Sequence, residues 1–329
     1  MTATPKGGPT DVIVIGAGVS GLTTAVCLAE QGHNVRIWSA DPIHETTSMA
    51  GGAMWGPYLV EPADKVKRWS ETTLDLLRQL SSVEGTGVRL VTGLEASRDI
   101  ADPPDWAKDL DDFRVARADE LPPGFESGVR FTAPMVDMPV YLSYLQARLR
   151  AAGGSIEMRR IASLDEALTD SEVVINCSGV GARNLVPDPE LTAIRGQLVS
   201  IENVGIDEFF SEETGDSADL LHIYPHDDSV ILGGVAQPGN WSLDPDPATA
   251  QAIIDRCSTI EPRIREAAVL GHRVGLRPTR AKVRVERQAG EHGFVVHNYG
   301  HGGAGVSLSW GCAQDVQEFV KNSDRQVET

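Results

Sequence analysis

The 329-residue sequence has few basic residues and no closely spaced cysteines. Its 29 lysines and arginines stand against 47 acidic residues, which gives a formal net charge of −18. A surface this acidic repels phosphate backbones and anionic lipid headgroups, so neither nucleic acid nor a membrane is an expected partner. The four cysteines include no CxxC pair. This favours buried, reduced thiols in a cytoplasmic protein, with no metal site.

Low-complexity and fibrous architectures are also excluded. Apolar residues make up 41% and charged residues 23%, and 33 glycines with 19 prolines fall well short of a low-complexity composition. At roughly 150 residues per domain, the length predicts about two domains. The long uncharged run, residues 12–29, is diluted by glycine and changes from a strand pattern to a helical one, so no membrane span is predicted.

The first forty residues predict a βαβ unit. Residues 11–15 form a β-branched run that ends on glycine, residues 20–31 have helical periodicity, and residues 34–38 form a second strand-like run. A unit of this kind predicts a Rossmann-like, doubly wound α/β fold. Further helices are predicted at 65–80, 139–152, 247–260 and 306–321, and further buried strands at 171–177 and 294–297.

The turn between the first strand and the first helix carries the spacing Gly16-x-Gly18-x-x-Gly21. In a dinucleotide site the first glycine makes the tight turn, the second lets backbone approach a pyrophosphate, and the third lets helix pack on strand. The backbone at Val19 and Ser20, where the helix starts, would then face the phosphates. The motif therefore predicts a dinucleotide site.

An acidic residue that binds the adenosine ribose should follow the second strand. Asp41 lies 25 residues after Gly16, somewhat beyond the usual spacing of about 20. Asp41 with Pro42 could equally form a simple turn, and Ser39 could take the ribose instead. The βαβ unit alone does not separate FAD from NAD.

A second glycine cluster lies near the C-terminus, where residues 295–305 read VVHNYGHGGAG and continue to WGCA at 310–313. Together with GAGVSGL at 16–22, this run resembles the signature of the D-amino-acid oxidase family of FAD enzymes. Further matching pieces occur in family order: Thr46-Thr47-Ser48, Ala50-Gly51, Trp55-x-Pro57-Tyr58, Asn176-Cys177-Ser178-Gly179, Arg195-Gly196-Gln197, Leu232-Gly233-Gly234, Gly239-Asn240-Trp241 and Gly275-Leu276-Arg277-Pro278.

The resemblance implies FAD as cofactor and oxidative deamination of a D-amino acid. In the family, a hydride passes from the substrate Cα to flavin N5, the imino acid hydrolyses to an α-keto acid and ammonia, and oxygen is reduced to hydrogen peroxide. The expected partners are therefore an amino acid and oxygen, with the assembly state left between monomer and homodimer. The expected cofactor-binding residues are Gly16, Gly18, Val19, Ser20, Asp41, Thr46, Thr47, Ser48, Gly51, Gly52, Trp55, Ser178, Gly179, Arg277, Gly300, Gly302, Gly303, Gly305 and Val306.

Substrate binding is expected to centre on Arg277, which stands at the family's GxRP arginine. A planar guanidinium holds both carboxylate oxygens and keeps its charge. Arg273 and Arg280 are competing candidates, better explained as surface or interdomain ion pairs. The resemblance implies that the carbonyl of Gly303 accepts from the substrate amine.

The sequence departs from the family pattern at two places, His222 and Gly56. His222 stands where a family tyrosine contacts the carboxylate, and Tyr224 projects from the same strand face, so either could meet the substrate, or His222 could simply be packed. Gly56 replaces a polar side chain, which predicts a roomier pocket. The acidic segment 207–219 corresponds to a lid and either favours cationic substrates or is a solvated face. His301 either contacts the flavin ring or is a packed residue.

The expected organisation is a discontinuous FAD-binding domain from residues 9–58, 135–193 and 279–329. A strand-rich α+β substrate domain would comprise residues 59–134 and 194–278. Within flavoenzymes, an oxidase of glycine or of an N-methylated, acidic or modified amino acid is the alternative. An NAD-dependent dehydrogenase and a flavin-binding module without turnover are the alternatives from other classes.

Overall fold

The computed structural model describes residues 9–57, 60–213 and 217–323. Its strands are β1 Asp11–Ile15, β2 Asn34–Ser39, β3 Val88–Ser97, β4 Asp111–Val115, β5 Ser127–Val136, β6 Ser155–Met158, β7 Val173–Asn176, β8 Thr192–Glu202, β9 Phe209–Glu212, β10 Asp219–Pro225, β11 Ser229–Val235, β12 Gln237–Pro238, β13 Val269–Gly290 and β14 Gly293–His301. Its α-helices are α1 Val19–Glu30, α2 Ala63–Leu80, α3 Met138–Ala151, α4 Leu164–Leu168, α5 Ala182–Leu185, α6 Pro247–Cys257 and α7 Gly305–Ser323.

The predicted βαβ unit is present. Strands β1 and β2 pair in parallel, from Asp11 opposite Asn34 to Ile15 opposite Trp38, and α1 connects them. The helix ends before Gly32, whose φ of +93° is the left-handed conformation that a glycine after a helix adopts. The buried residues of β1 are covered on both faces, as in other parallel sheets with helices on each side.

All fourteen strands of the described ranges join one sheet with two parts. The order β14-β7-β1-β2-β6 is parallel and packs with α1, α3 and α7, which confirms the predicted doubly wound α/β class. The remaining strands form a mixed, mainly antiparallel part, on one face of which α6 packs in a second core. Strand β13 belongs to both parts: it pairs with β8 up to Thr279, and with β14 at Thr279 and, after a register shift, from Arg284 onwards.

The predicted strand at 294–297 is longer in the structure. It pairs in parallel with β7 only up to His297, but it continues to His301 because β13 pairs with it on the other side. The predicted helix at 247–260 ends earlier, at Cys257. The other predicted helices agree with α1, α2, α3 and α7 to within two residues at each end.

The thiols agree with the expectation of reduced cysteines. None of the four forms a disulfide; Cys27 is partly buried and the other three are buried. No helix in ranges 9–57, 60–213 and 217–323 is both long and apolar enough to cross a bilayer.

Helices α2 and α7 approach each other closely at Gly311. A Cβ built on Gly311 would lie 2.3 Å from the Cα of Trp69 and 2.4 Å from its carbonyl oxygen. The Gly311 amide also donates to Thr73 Oγ1 at 3.1 Å. The glycine of the WGCA run is therefore required by helix packing.

Gly311→Ala should destabilise the protein by roughly 1–3 kcal/mol, because the clash is with backbone that cannot move without separating the helices. An alanine inside a helix ordinarily adds stability, by up to about 1 kcal/mol relative to glycine. The control is Gly271→Ala, where no atom lies within 4 Å of the new Cβ. Urea unfolding of both variants measures the difference, and a stabilised Gly311→Ala protein would contradict this account of the crossing.

Candidate active site

The end of β1 is packed against the end of β7 at Gly16. Its φ is +104°, and a Cβ there would lie 2.5 Å from the carbonyl oxygen of Cys177. A Cβ on Gly21 would lie 1.9 Å from the carbonyl oxygen of Gly16. Both positions therefore require glycine, for the tight turn and for the close packing of α1 that the spacing predicts.

The N-terminus of α1 faces the segment 46–48. Gly18 is the N-cap and has no side-chain cap, while Ser48 Oγ accepts a hydrogen bond from the Val19 amide at 2.9 Å. The hydroxyls of Thr46 and Thr47 donate to backbone carbonyls, of Ile43 and Leu276 respectively. The structure thus brings Ser48 to the helix end where an anion is expected, next to Gly18 and Ser20.

The second glycine cluster links β14 to α7. Gly300 and Gly302 have positive φ, +87° and +55°, so the turn itself favours glycine there. A Cβ on Gly303 would come no closer than 3.8 Å, to Arg277 Cδ, and a Cβ on Gly305 no closer than 3.8 Å, to Val19 Cγ1. Packing against the described residues does not require glycine at the last two positions, so they leave an open surface at the start of α7.

Two helix N-termini meet at this surface. Gly305 lies beside Val19, and Thr23 Oγ1 lies 3.4 Å from the carbonyl oxygen of Ser309, so the starts of α1 and α7 are neighbours. Both helix dipoles therefore favour negative charge at one place. His301 is buried there, and its Nε2 has no hydrogen-bond partner in ranges 9–57, 60–213 and 217–323. These features fit a cofactor with phosphates at one end and a flat, hydrogen-bonding ring at the other. Gly303, Gly305 and Val306 would lie at the ring end.

Asp41, the expected ligand of the adenosine ribose, forms an ion pair with Arg160. Asp41 is exposed and its Oδ1 lies 2.7 Å from Arg160 Nη2, while buried Ser39 donates to the Asp41 carbonyl at 2.7 Å. Ser178 and Gly179 follow β7, and Ser178 Oγ donates to Asn176 Oδ1 at 2.6 Å. Ribose binding by Asp41 and cofactor contact by Ser178 and Gly179 stay predictions.

Trp55 is a core residue. It is 2% exposed, its backbone amide donates to Pro134, and its indole Nε1 donates to the Ser70 carbonyl at 3.1 Å. Both of its N–H groups thus have partners within the protein, so neither is left to donate to the cofactor, and contact of Trp55 with the cofactor stays a prediction. Its neighbour Gly56 is held instead by Ser307 Oγ, which accepts from the Gly56 amide and donates to its carbonyl.

One face of the antiparallel part carries the expected substrate residues. Paired positions in neighbouring strands share a face, and the row runs from His222 through Gly233 and Leu198 to Arg273. Arg277, four residues after Arg273, lies on the same face, because side chains alternate along a strand. The opposite face packs on α6, so only the first is open to the glycine cluster of α7.

Arg277 is anchored on this face. Its Nη1 donates to the Val235 carbonyl at 3.0 Å, and its Cδ lies beside Gly303. The structure therefore places the expected carboxylate clamp next to the expected amine acceptor.

His222 and Tyr224 stack with ring centroids 4.4 Å apart and an interplanar angle of 20°, which confirms that they share a face. The Nε2 of His222 has no partner among the described residues. Burial lowers the pKa of His222 to about 3, with a smaller effect from the charges of Arg277 and Arg256. His222 is therefore neutral at physiological pH and can donate a hydrogen bond without adding charge.

The two competing arginines have other partners. Arg280 pairs with Asp188 at 2.9 Å and with Glu190 at 2.8 Å, as expected of an ion pair. The expectation is wrong for Arg273, which donates to the Gly51 carbonyl at 3.2 Å and has no ion-pair partner within 4 Å among the described residues. The reason is that segment 47–52 crosses β13 there and places a carbonyl over the guanidinium.

Segment 50–57 forms one wall of the site. A Cβ on Gly52 would lie 3.2 Å from Tyr224 Cδ2, so Gly52 borders the stacked pair, and the Gly51 carbonyl accepts from Arg273. Among the residues that the structure describes, a Cβ on Gly56 would meet Trp106 alone, at 3.8 Å, which fits the predicted roomier pocket. Tyr58 and residues 214–216 of the expected lid lie outside the described residues.

Sequence reasoning assigned no role in the site to four contributors: the Val235 carbonyl, the Ser307 hydroxyl, and the glycines at 196 and 233 beneath Arg277 and His222. The two glycines carried a signal, since glycine inside a strand often marks a close approach of another group. The other two contributors could not be read from local pattern.

A glycine turn after the first parallel strand and a second glycine cluster beside a half-buried guanidinium together define a dinucleotide-binding oxidoreductase of the α/β class. The family model for FAD dependent oxidoreductases, DAO, matches residues 11–318, and the chain belongs to this family. The cofactor is therefore FAD, and the NAD alternative is set aside.

Several characterised relatives cover nearly the whole chain. It is 47% identical over 306 residues to a D-amino-acid oxidase of Rubrobacter xylanophilus, covering 92% of this chain and 94% of the relative. It is 44% identical over 313 residues to a D-amino-acid oxidase of Streptomyces coelicolor, covering 94% and 96%. A D-aspartate oxidase of Homo sapiens is 34% identical over 333 residues, covering 97% and 96%.

A solved structure shares the fold. The glycine oxidase of Geobacillus kaustophilus superposes with a TM-score of 0.79 over 96% of this chain and 95% of that one, at 16% sequence identity.

Gly305→Val should leave the chain folded but weaken FAD binding at least tenfold. A Cβ at this position would make only ordinary van der Waals contact, 3.8 Å from Val19 Cγ1, and the larger side chain would extend over the open surface at the start of α7. Titration of the apoprotein with FAD, followed by flavin fluorescence, gives the affinity, and thermal unfolding of the apoprotein gives the control. If this variant bound FAD with wild-type affinity, the start of α7 would not be part of the cofactor site.

Proposed function

We propose that the protein is an FAD-dependent oxidase that converts a neutral D-amino acid to the α-keto acid, ammonia and hydrogen peroxide. The observation that carries this function is the position of Arg277, which is anchored on Val235 beside Gly303 at the open start of α7. The relatives of 47% and 44% identity named D-amino-acid oxidase support it.

FAD, when bound, supplies the hydride acceptor and passes the electrons to oxygen. What the chain must supply is position, because the reaction needs the substrate Cα–H bond held in one orientation. Gly16, Gly18 and Ser48, with the amides at the start of α1, would hold the phosphates. The α7 cluster would hold the ring.

The substrate would be held at its carboxylate and its amine. The Arg277 guanidinium would bind both carboxylate oxygens, and the Gly303 carbonyl would accept from the amine. The ring of neutral His222 would lie beside the carboxylate, and Tyr224 would form the adjoining wall. Because the amine acceptor is backbone, this arrangement places few demands on the substrate side chain.

The two parts of the sheet support the proposed domains: FAD-binding residues 9–58, 135–193 and 279–329, and substrate-binding residues 59–134 and 194–278. The boundary at 279 coincides with the point where β13 leaves β8, since Thr279 is the last residue of β13 paired with β8. The unpaired cysteines support a reducing, cytoplasmic compartment.

A peroxide assay over matched D- and L-amino acids tests the proposed function. The FAD-loaded protein should release peroxide and α-keto acid with neutral D-amino acids such as D-alanine, and not with their L-enantiomers. Activity confined to glycine, N-methylated or acidic substrates would support the alternative oxidase. If no amino acid gave peroxide, the result would support the alternative of a flavin-binding module without turnover.

Arg277→Ala should retain FAD but lose roughly 2–5 kcal/mol of transition-state binding, because a carboxylate would be left without its charged partner. The readout is kcat/KM for the best D-amino acid. Arg280→Ala is the control: it removes the ion pairs to Asp188 and Glu190 and should lower stability while changing KM by less than about threefold. Unchanged kinetics in Arg277→Ala would exclude this residue from the site.

A further inference from the structure

The Arg277 guanidinium lies flat on the backbone of Gly196. A Cβ built on Gly196 would lie 2.7 Å from Cζ, from Nη1 and from Nη2 of Arg277. Three equal distances mean that the guanidinium plane faces the sheet, and all are shorter than van der Waals contact. Only a residue without a side chain allows this arrangement.

The His222 ring lies against a glycine of the neighbouring strand in the same way. A Cβ on Gly233 would lie 1.8 Å from His222 Nε2 and 1.9 Å from Cε1. The imidazole therefore covers Gly233, its paired residue in β11, and its unpartnered nitrogen lies against the sheet.

Neither glycine has a positive φ. For Gly196, the atoms that an alanine would meet first all belong to the end of the Arg277 side chain. For Gly233, they all belong to the His222 ring. A methyl group at either position would displace the functional group above it and leave the strands in place.

Other glycines on this face behave differently. At Gly275, paired with Gly196, a Cβ would meet Ala50 and Thr47, so that glycine serves the crossing of segment 47–52. At Gly271, further along β13, nothing lies within 4 Å. The close approach of a polar group is therefore particular to Gly196 and Gly233 among these four.

We propose that Gly196 and Gly233 are positioning residues that set the height of Arg277 and His222 above the sheet, and thereby the depth of the substrate carboxylate pocket. The inference rests on the proposed function, in which both side chains meet that carboxylate. A guanidinium raised by one methyl group would meet the carboxylate out of register with the Gly303 carbonyl, so substrate binding would weaken before the chemical step does.

The test compares Gly196→Ala and Gly233→Ala with Gly271→Ala in the FAD-loaded enzyme. Each of the first two should raise KM for D-alanine at least tenfold while kcat changes less than threefold. FAD content and melting temperature should stay close to wild type. Gly271→Ala should match wild type throughout. Equal KM values in all three variants would overturn the proposal, as would a loss of kcat without a change in KM.

A double-substitution cycle separates displacement from general damage. In a His222→Ala background, the methyl group of Gly233→Ala has no ring to displace, so KM should change by less than twofold. In an Arg277→Ala background, Gly196→Ala should likewise add nothing. An effect of the same size with and without the functional side chain would show damage to the strand and overturn the proposal.

Propionate, which lacks the amine and cannot be oxidised at Cα–N, distinguishes this inference from the proposed function. Its binding to the FAD-loaded protein can be followed by the flavin absorbance. Failure of the wild type to oxidise any amino acid would reject the proposed function. Propionate binding at least tenfold weaker in Gly196→Ala than in Gly271→Ala would still support the positioning role, and equal or absent binding in all proteins would reject it.

Discussion

The contact between the ends of β1 and β7 is the constraint on which the rest of the site depends. Gly16 lies so close to the Cys177 carbonyl that no side chain fits between them. This contact fixes where α1 begins, and Val19 on its first turn lies beside Gly305 at the start of α7. Two helix dipoles and two glycine turns from opposite ends of the sequence therefore face one volume.

Strand β13 connects that volume to the substrate residues. Its first half carries Arg277 on the open face of the antiparallel part, and its second half pairs with β14, which ends in the glycine cluster. Between them, Arg280 is held by Asp188, which also accepts a hydrogen bond from the buried Tyr299 hydroxyl at 2.7 Å. These contacts link β13, which carries the carboxylate clamp Arg277, to β14 and its glycine cluster. Since His222 is neutral, Arg277 supplies the charge in a protein whose net charge is −18.

The sequence predicted features that depend on neighbouring residues. The βαβ unit, the Gly16 turn and the shared face of His222 and Tyr224 follow from periodicity, and the structure contains all three. Contacts between segments that lie far apart in the sequence could not be predicted from it. The Gly51 carbonyl over Arg273 joins positions 222 residues apart. The indole of Trp55 donates to the carbonyl of Ser70, which lies on a helix whose packing no local pattern reveals.

A crystal structure of the protein with FAD would test the central claim most directly, since that claim is that one cofactor is held by both strand ends. We expect the pyrophosphate within hydrogen-bond distance of the α1 amides near Gly18 and the flavin ring against residues 302–306, with Arg277 beside it. A flavin that contacts only one of the two glycine turns, or that binds away from Arg277, would contradict the account.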